Sequence, residues 1–220
     1  MHKQLNERTM TFKDRIDAGL QLAFKLKKYV IDPCVVLAVP RGGVPVAYTV
    51  ASELNFPMQL VLTKKIGHPI NREYAIGAAS LTDYFIIPHD DVTEVYIQKE
   101  VKRVQEKLKD MQQKFMGDRP VLPLKGKTVI IVDDGIATGN TMLATVKVIR
   151  KEEPEKIIIA VPVTSAEAYK KLAKEADEFI CLLIAEEFYG VGAFYDDFKQ
   201  VTDDDVKTYI NNLHQKEEFY

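Results

Sequence analysis

Two kinds of apolar pattern alternate along this chain. Short continuous runs, Val35 to Val39, Leu60 to Thr63, Thr128 to Val132, Lys156 to Val161 and Glu178 to Ile184, predict strands. Their unbroken Val, Ile and Leu leave no polar side for water, as in a parallel sheet covered on both faces. Between them the apolar residues recur at helical spacing. Phe12, Ile16, Leu20 and Phe24 are spaced by four behind Thr11 and Asp14, which predicts a capped helix with those four residues inward. Pro45 at a first-turn position opens a second helix through about Leu54. Ile97, Val101, Val104, Leu108, Met111 and Phe115 mark one long amphipathic helix, with Asp91 and Glu94 as its cap pair and Gly117 and Pro120 at its end. Such a stripe packs within the chain or against a second copy. Further helices are expected at about 140–151 and 165–176, and a last one capped by Thr202 with Val206, Ile210 and Leu213 inward.

Strand and helix in this alternation give an α/β class: an open, mainly parallel, five-stranded Rossmann-like sheet with helices on both faces. A long inserted helix and a carboxyl-terminal cover complete it. No repeat or Pro/Gly/Ser linker divides the sequence. We therefore expect one domain over 1–220, with a core at about 30–185, a lid and inserted helix at 64–118, and a cover at 186–220.

Composition narrows the function classes. A net charge of -2 supplies no global basic field for nucleic acid, so any anionic ligand is held locally. Cys34 and Cys181 sit inside apolar runs with no metal-ligand spacing, which predicts buried, reduced thiols. The amino-terminal segment is polar and no apolar stretch nears the roughly 20 residues that cross a bilayer, so a cytoplasmic protein without membrane contact is expected.

The chemistry concentrates where the strand TVIIV runs into Asp133-Asp134-Gly135-Ile136-Ala137-Thr138-Gly139-Asn140-Thr141 and then a helix. Ligands bind beyond the carboxyl ends of strands in open sheets. A helix start offers unpaired N–H groups, the glycines allow close approach, and the threonines add hydroxyls, which together make a phosphate cradle without a lysine. Two carboxylates on the same loop suit sugar hydroxyls or a divalent cation. A bare Asp-Asp-Gly would be an ordinary turn; the whole string implies a sugar phosphate. A second strand-to-helix junction, PRGGVP at 40–45, exposes backbone donors at Gly42 and Gly43 beside the guanidinium fork of Arg41. The segment 62–78, LTKKIGHPINREYAIGA, is too polar and too broken by Gly67 and Pro69 for core, and carries Lys64, Lys65, His68, Arg72 and Glu73.

The string VIIVDDGIATGNT resembles the phosphoribosyl diphosphate signature of type I phosphoribosyltransferases, and the layout of the chain is similar to the stand-alone bacterial members of unassigned acceptor. The resemblance implies a Mg2+-dependent transfer of ribose 5-phosphate between phosphoribosyl diphosphate and a base, purine-like favoured, with pyrophosphate as the other product. Asp133 and Asp134 would hold ribose hydroxyls and metal, and Ala137 to Thr141 the 5'-phosphate. PRGGVP would be the pyrophosphate loop, with a cis peptide near Arg41-Gly42. Lys64 and Lys65 resemble the basic pair at the base of the family's lid and, with Arg41, Arg72 and Glu73, complete the catalytic set, Glu73 either as a carboxylate on the base or as a helix-capping group. The segment EFYGVGAFYDDF resembles a purine-binding tail, in which Tyr189 or Phe188 would stack on the base and Asp196 would approach Mg2+. Ala137 departs from the hypoxanthine-type pattern, which has an aspartate there, so a non-catalytic sensor of phosphoribosyl diphosphate or a nucleotide stays open as the rival function. A homodimer is compatible with the long helix. GKT at 126–128 lacks the spacing of a phosphate-binding P-loop, and GVGAFY at 190 lacks a third glycine.

Overall fold

A computed structural model describes residues 11–72 and 74–217. The runs of apolar residues become strands β1 (Cys34–Ala38), β2 (Met58–Leu60), β6 (Thr128–Val132), β7 (Lys156–Ser165) and β8 (Glu178–Ala185). They form one all-parallel sheet in the order β2-β1-β6-β7-β8. Adjacent residues face opposite sides of a strand, and both sides are filled. Val36, Ala38, Ile130, Val132, Ile158 and Ala160 pack with helices α1 (Arg15–Leu26), α2 (Gly43–Leu54) and α6 (Asp203–Glu217). Val35, Leu37, Val129, Ile131, Ile157 and Ile159 pack with α4 (Asn140–Arg150) and α5 (Ala166–Leu172) on the other. The chain leaves β1 toward one edge through β2 and later leaves β6 toward the other through β7 and β8. The strand order therefore reverses between β1 and β6, the place where open sheets bind ligands.

The segment expected as a polar lid is built differently. Strands β3 (Lys64–Gly67), β4 (Ala75–Ala79) and β5 (Tyr84–Ile86) form a separate antiparallel sheet. Ile66, Ile76 and Ala79 are buried under Ile97, Val101, Val104 and Leu108 of the long helix α3 (Glu94–Met116). The stripe on α3 thus packs within the chain, and its cover lets a segment that reads as polar carry a core of its own. Gly77 permits this pairing, because a Cβ there would lie 2.1 Å from the Phe85 carbonyl oxygen. The cap of α3 is Thr93, whose hydroxyl accepts from the Tyr96 amide; Asp91 instead meets the His68 ring at 3.1 Å.

Helix α1 turns its small residues inward, contrary to the spacing of its large ones. Ala18, Gly19, Leu22, Ala23 and Leu26 are buried, whereas Ile16, Leu20 and Phe24 are exposed. A Cβ on Gly19 would stand 2.7 Å from Thr49 Cβ on α2. Close backbone approach gains more packing contacts than the bulkier face could make at a greater distance. Asp14 caps the helix as expected, accepting from the Ile16 and Asp17 amides. Thr202 and Asp205 reciprocally cap α6, and Val206, Ile210 and Leu213 are buried, as the sequence predicts. Cys34 and Cys181 are both free thiols. Among the described residues no helix is long and apolar enough to cross a membrane.

One edge contact outside the site gives a pH-dependent term. Glu178 at the start of β8 accepts from Lys28 at 2.7 Å and from the Tyr29 hydroxyl, and these donors hold its carboxyl down at about 2 from the ordinary 4.5. A depressed carboxylate stabilises the fold above its unfolded value and loses that contribution as pH falls through its folded value. Because Glu178 is 33% exposed, Glu178→Gln is expected to cost about 1 kcal/mol at neutral pH. Urea melts should show that difference closing as pH falls from about 4.5 toward about 2.

Candidate functional site

The two strands that flank the switch point each end in a glycine-bearing loop, and the loops interlock. The Val39 amide continues the ladder beyond β1 by donating to the Val132 carbonyl at 2.9 Å. Gly43 then passes so close to β6 that a Cβ would lie 2.7 Å from the Asp133 Cα. A Cβ on Gly42 would lie 2.2 Å from the Asp134 carboxylate. These positions are glycine because the neighbouring loop occupies the space of a side chain. The cis peptide is Pro40–Arg41, one bond before the expected Arg41–Gly42.

The two aspartates have separate environments. Asp134 is buried, and its Oδ2 accepts from Nε and Nη2 of Arg15 at 2.9 and 2.8 Å. Arg15 Cζ lies over the Phe198 ring, 3.8 Å from its centre, and the guanidinium also donates to the Lys199 carbonyl. The Tyr195 hydroxyl donates to the Asp134 carbonyl at 2.6 Å, and burial pushes that phenol far up. Asp133, half-buried, accepts from the Asp134 amide at 2.8 Å. Burial pushes both carboxyls up; the Asp134 charge adds to the rise at Asp133, while the Arg15 cation opposes it at Asp134. Arg15 thus pairs with Asp134 and not with Asp133.

The rest of the loop is fastened to the extended end of β7. Ile136 donates to the Val163 carbonyl and accepts from the Ser165 amide, and the Ser165 hydroxyl donates to the Ala137 carbonyl at 2.6 Å. Gly135 fits against Val163 and Val191, where a Cβ would meet Val191 at 2.6 Å. Gly139, at φ 72°, caps α4 without any side-chain hydrogen bond, so the first-turn amides of Asn140 and Thr141 face outward. Ala137, Thr138, Asn140 and Thr141 are exposed. This is the geometry of an anion cradle.

Arg41 opens on a cavity of about 410 Å3 that it shares with Lys64, Lys107, Asp110, Lys114 and Asp203. Asp203 stands 3.6 Å from Arg41 and 2.6 Å from Lys114. Four cations against two carboxylates give this cavity a positive balance. Lys65 does not join it. Neighbours on a strand point to opposite faces, and Lys65 lines a separate cavity against α4. The expected basic pair is split by strand geometry. Arg72 is also elsewhere, close enough to α3 for its charge to act on Tyr96 and Glu100. Glu73 lies outside the described residues.

The cover is a cluster of Phe12, Ala18, Val163, Ala185, Phe194 and Tyr195, in which Phe188 packs on Phe194 at 5.3 Å. Tyr189 is 86% exposed, so Phe188 anchors the tail while Tyr189 is left to the solvent. Asp196 is exposed and its amide donates to the Phe12 carbonyl. Among the described residues no three acidic, His or Cys side chains gather as a metal site, so Asp196 does not join Asp133 and Asp134. The reason is the strap: residues 12–13 pair with 194–197 and hold Asp196 at that seam. The site residues that sequence reasoning missed are Arg15, Tyr195, Phe198, Lys107 and Lys114. The last two lie on the polar face of α3, which carries no pattern beyond exposure.

A profile of the phosphoribosyl transferase domain matches residues 12–199. A Mycobacterium tuberculosis protein provisionally named a phosphoribosyl transferase is 35% identical over 209 residues, covering 93% of this chain and 47% of its own. The chain thus spans about half the length of the curated relatives it matches. A solved Thermus thermophilus structure is 37% identical, with a TM-score of 0.85 over 93% of this chain and 99% of that one. A stretch of 59 residues is 41% identical to the ribose-phosphate pyrophosphokinase of Pyrococcus furiosus, covering 26% of this chain and 21% of that enzyme.

Proposed function

The chain belongs to the phosphoribosyl transferase domain family, and on that premise we propose that it transfers ribose 5-phosphate between phosphoribosyl diphosphate and a nitrogenous base. The observation that supports this reading is the interlock of the two loops, in which Gly42 and Gly43 beside Arg41 pack against the Asp133–Asp134 segment that leads to the start of α4. The α4 amides suit the 5'-phosphate, Asp133 the ribose hydroxyls, and Arg41 with Lys64, Lys107 and Lys114 the pyrophosphate. In the reaction a base nitrogen forms a bond to C1 of the ribose as the C1–O bond to pyrophosphate breaks with its electron pair, and the proton of that nitrogen passes to water or to the leaving pyrophosphate. The protein's part is positioning and neutralisation of the charge that develops on the leaving oxygens.

The residues fit Mg2+ only if the donor brings most of its ligands. Asp134 is committed to Arg15, which leaves Asp133 as the available carboxylate, and Mg2+ typically takes one or two carboxylates plus substrate phosphates. Bound in that way, the ion would add Lewis-acid neutralisation of the pyrophosphate.

The test is calorimetric titration with phosphoribosyl diphosphate and Mg2+. Asp133→Asn is expected to weaken binding about 10- to 100-fold, the loss of one charged hydrogen bond to a hydroxyl. Unchanged affinity in that variant would overturn the assignment. Ala137, exposed where a catalytic carboxylate would serve as base, favours a sensor as the second reading. Release of pyrophosphate with any member of a panel of purine and pyrimidine bases decides for the enzyme; tight binding without release decides for the sensor.

A further inference from the structure

Between the small sheet and the first turns of α4 lies a cavity of about 520 Å3. Its wall carries Lys65 of β3, Lys147 of α4 and Lys171 of α5, together with the rings of Tyr74 and Phe85 and the apolar Leu143 and Ala144. Asp133, Asp134 and Arg41 are not part of this wall. Among the described residues three cations line it and no carboxylate does, in contrast to the Arg41 cavity, where Asp110 and Asp203 offset the charge. Glu175 approaches Lys147 only to 3.7 Å from outside, and Lys171 donates to the Asn140 side chain.

Both aromatic residues have a neighbour of their own. Lys147 Nζ lies 5.4 Å from the centre of the Phe85 ring, and Tyr74 stacks on His89 at 5.6 Å with 18° between planes. A ligand that satisfies this wall carries negative charge for the lysines and a flat, largely apolar group for the rings. The volume is in the range of about 300 to 1,000 Å3 usual for small-molecule sites.

We propose that this cavity is a second binding site, for a nucleotide, with its phosphates toward Lys65, Lys147 and Lys171 and its base against Phe85 and Tyr74. Thr138, Asn140 and Thr141 line the cavity and stand at the α4 start, to which the proposed function assigns the 5'-phosphate. Two phosphates at one helix start repel, so the nucleotide weakens donor binding, and the donor weakens nucleotide binding by the same factor. This coupling rests on the proposed function; the site itself does not.

Calorimetric titration of the whole chain with ADP tests the site. The wild type binds ADP, and Lys147→Glu weakens it at least about tenfold, with Phe85→Ala also weakening it. Melting curves confirm that both variants are folded. Asp133→Asn leaves ADP affinity within about twofold. Saturating ADP weakens phosphoribosyl diphosphate binding to the wild type by at least about fivefold. ADP binding that survives Lys147→Glu but vanishes in Asp133→Asn would place the nucleotide in the ribose site and overturn the proposal. Absence of binding at millimolar ADP overturns it as well. If the ADP pattern holds while phosphoribosyl diphosphate fails to bind, the second site stands and the transferase reading falls.

Discussion

Arg15→Ala is expected to lower the stability of this protein by about 3 kcal/mol or more, because it leaves the Asp134 carboxylate buried and unpaired. Both partners are nearly enclosed, with side chains 11% and 12% exposed, so water cannot replace the guanidinium. For a chain of this length the loss corresponds to a fall in Tm of roughly 6 to 12 °C. The variant also loses the stack on Phe198 and the bond to the Lys199 carbonyl, which loosens the cover. Removing the charge as well, in Arg15→Ala/Asp134→Asn, should restore at least half of the deficit, and Arg15→Lys should fall between, since an ammonium cannot make the two-point contact. The pH dependence has a definite sign. Without Arg15 the opposition to burial is gone and the Asp134 carboxyl rises further. Its ionisation then costs stability, so the deficit is smallest below about pH 4 and grows as pH rises. Melts of the four proteins against pH check this. A deficit independent of pH, or undiminished in the double variant, would sink the account.

Gly42→Ala is expected to reduce binding of phosphoribosyl diphosphate by at least about 100-fold and stability by about 1 to 3 kcal/mol. The added methyl would stand 2.2 Å from Asp134 Oδ2 and 2.8 Å from its Cγ. That carboxylate cannot swing away, because Arg15 holds one oxygen and the Tyr195 hydroxyl holds the backbone carbonyl. The loop must move instead, and it carries Arg41 with it. The same methyl on Gly43 meets backbone, at 2.7 Å from Asp133 Cα, and should be at least as harmful. Titration beside a thermal melt separates the two effects. Wild-type donor affinity in a folded Gly42→Ala protein would mean that the loops do not need to interlock for binding.

Much of this architecture is written locally. A strand covered on both faces must be apolar at every position, so β1, β6 and β7 announce themselves as unbroken runs, as does the half-buried β8, and the loops that follow β1 and β6 are marked by their glycines. Asp133 and the segment to Thr141 are legible for the same reason, since strand end, loop and helix start are contiguous. The cap of α6 and its inward Val206, Ile210 and Leu213 lie within one helix and were legible too.

Tertiary structure alone decided the rest. The second sheet is hidden in the sequence because its glycines and charged residues look like loop until α3 buries Ile66 and Ile76. The inward face of α1 followed the close approach at Gly19 and not the spacing of its large side chains. Lys64 and Lys65 are neighbours in sequence and face different cavities, a separation that exists only once they are in a strand. Arg15 and Asp134 are 119 residues apart, and nothing in either local context signals the other. Periodicity records which positions an element buries. Which charges meet, and so which aspartate is left for a ligand, is settled only when loops of such length have closed and burial has removed the water that would otherwise screen each charge.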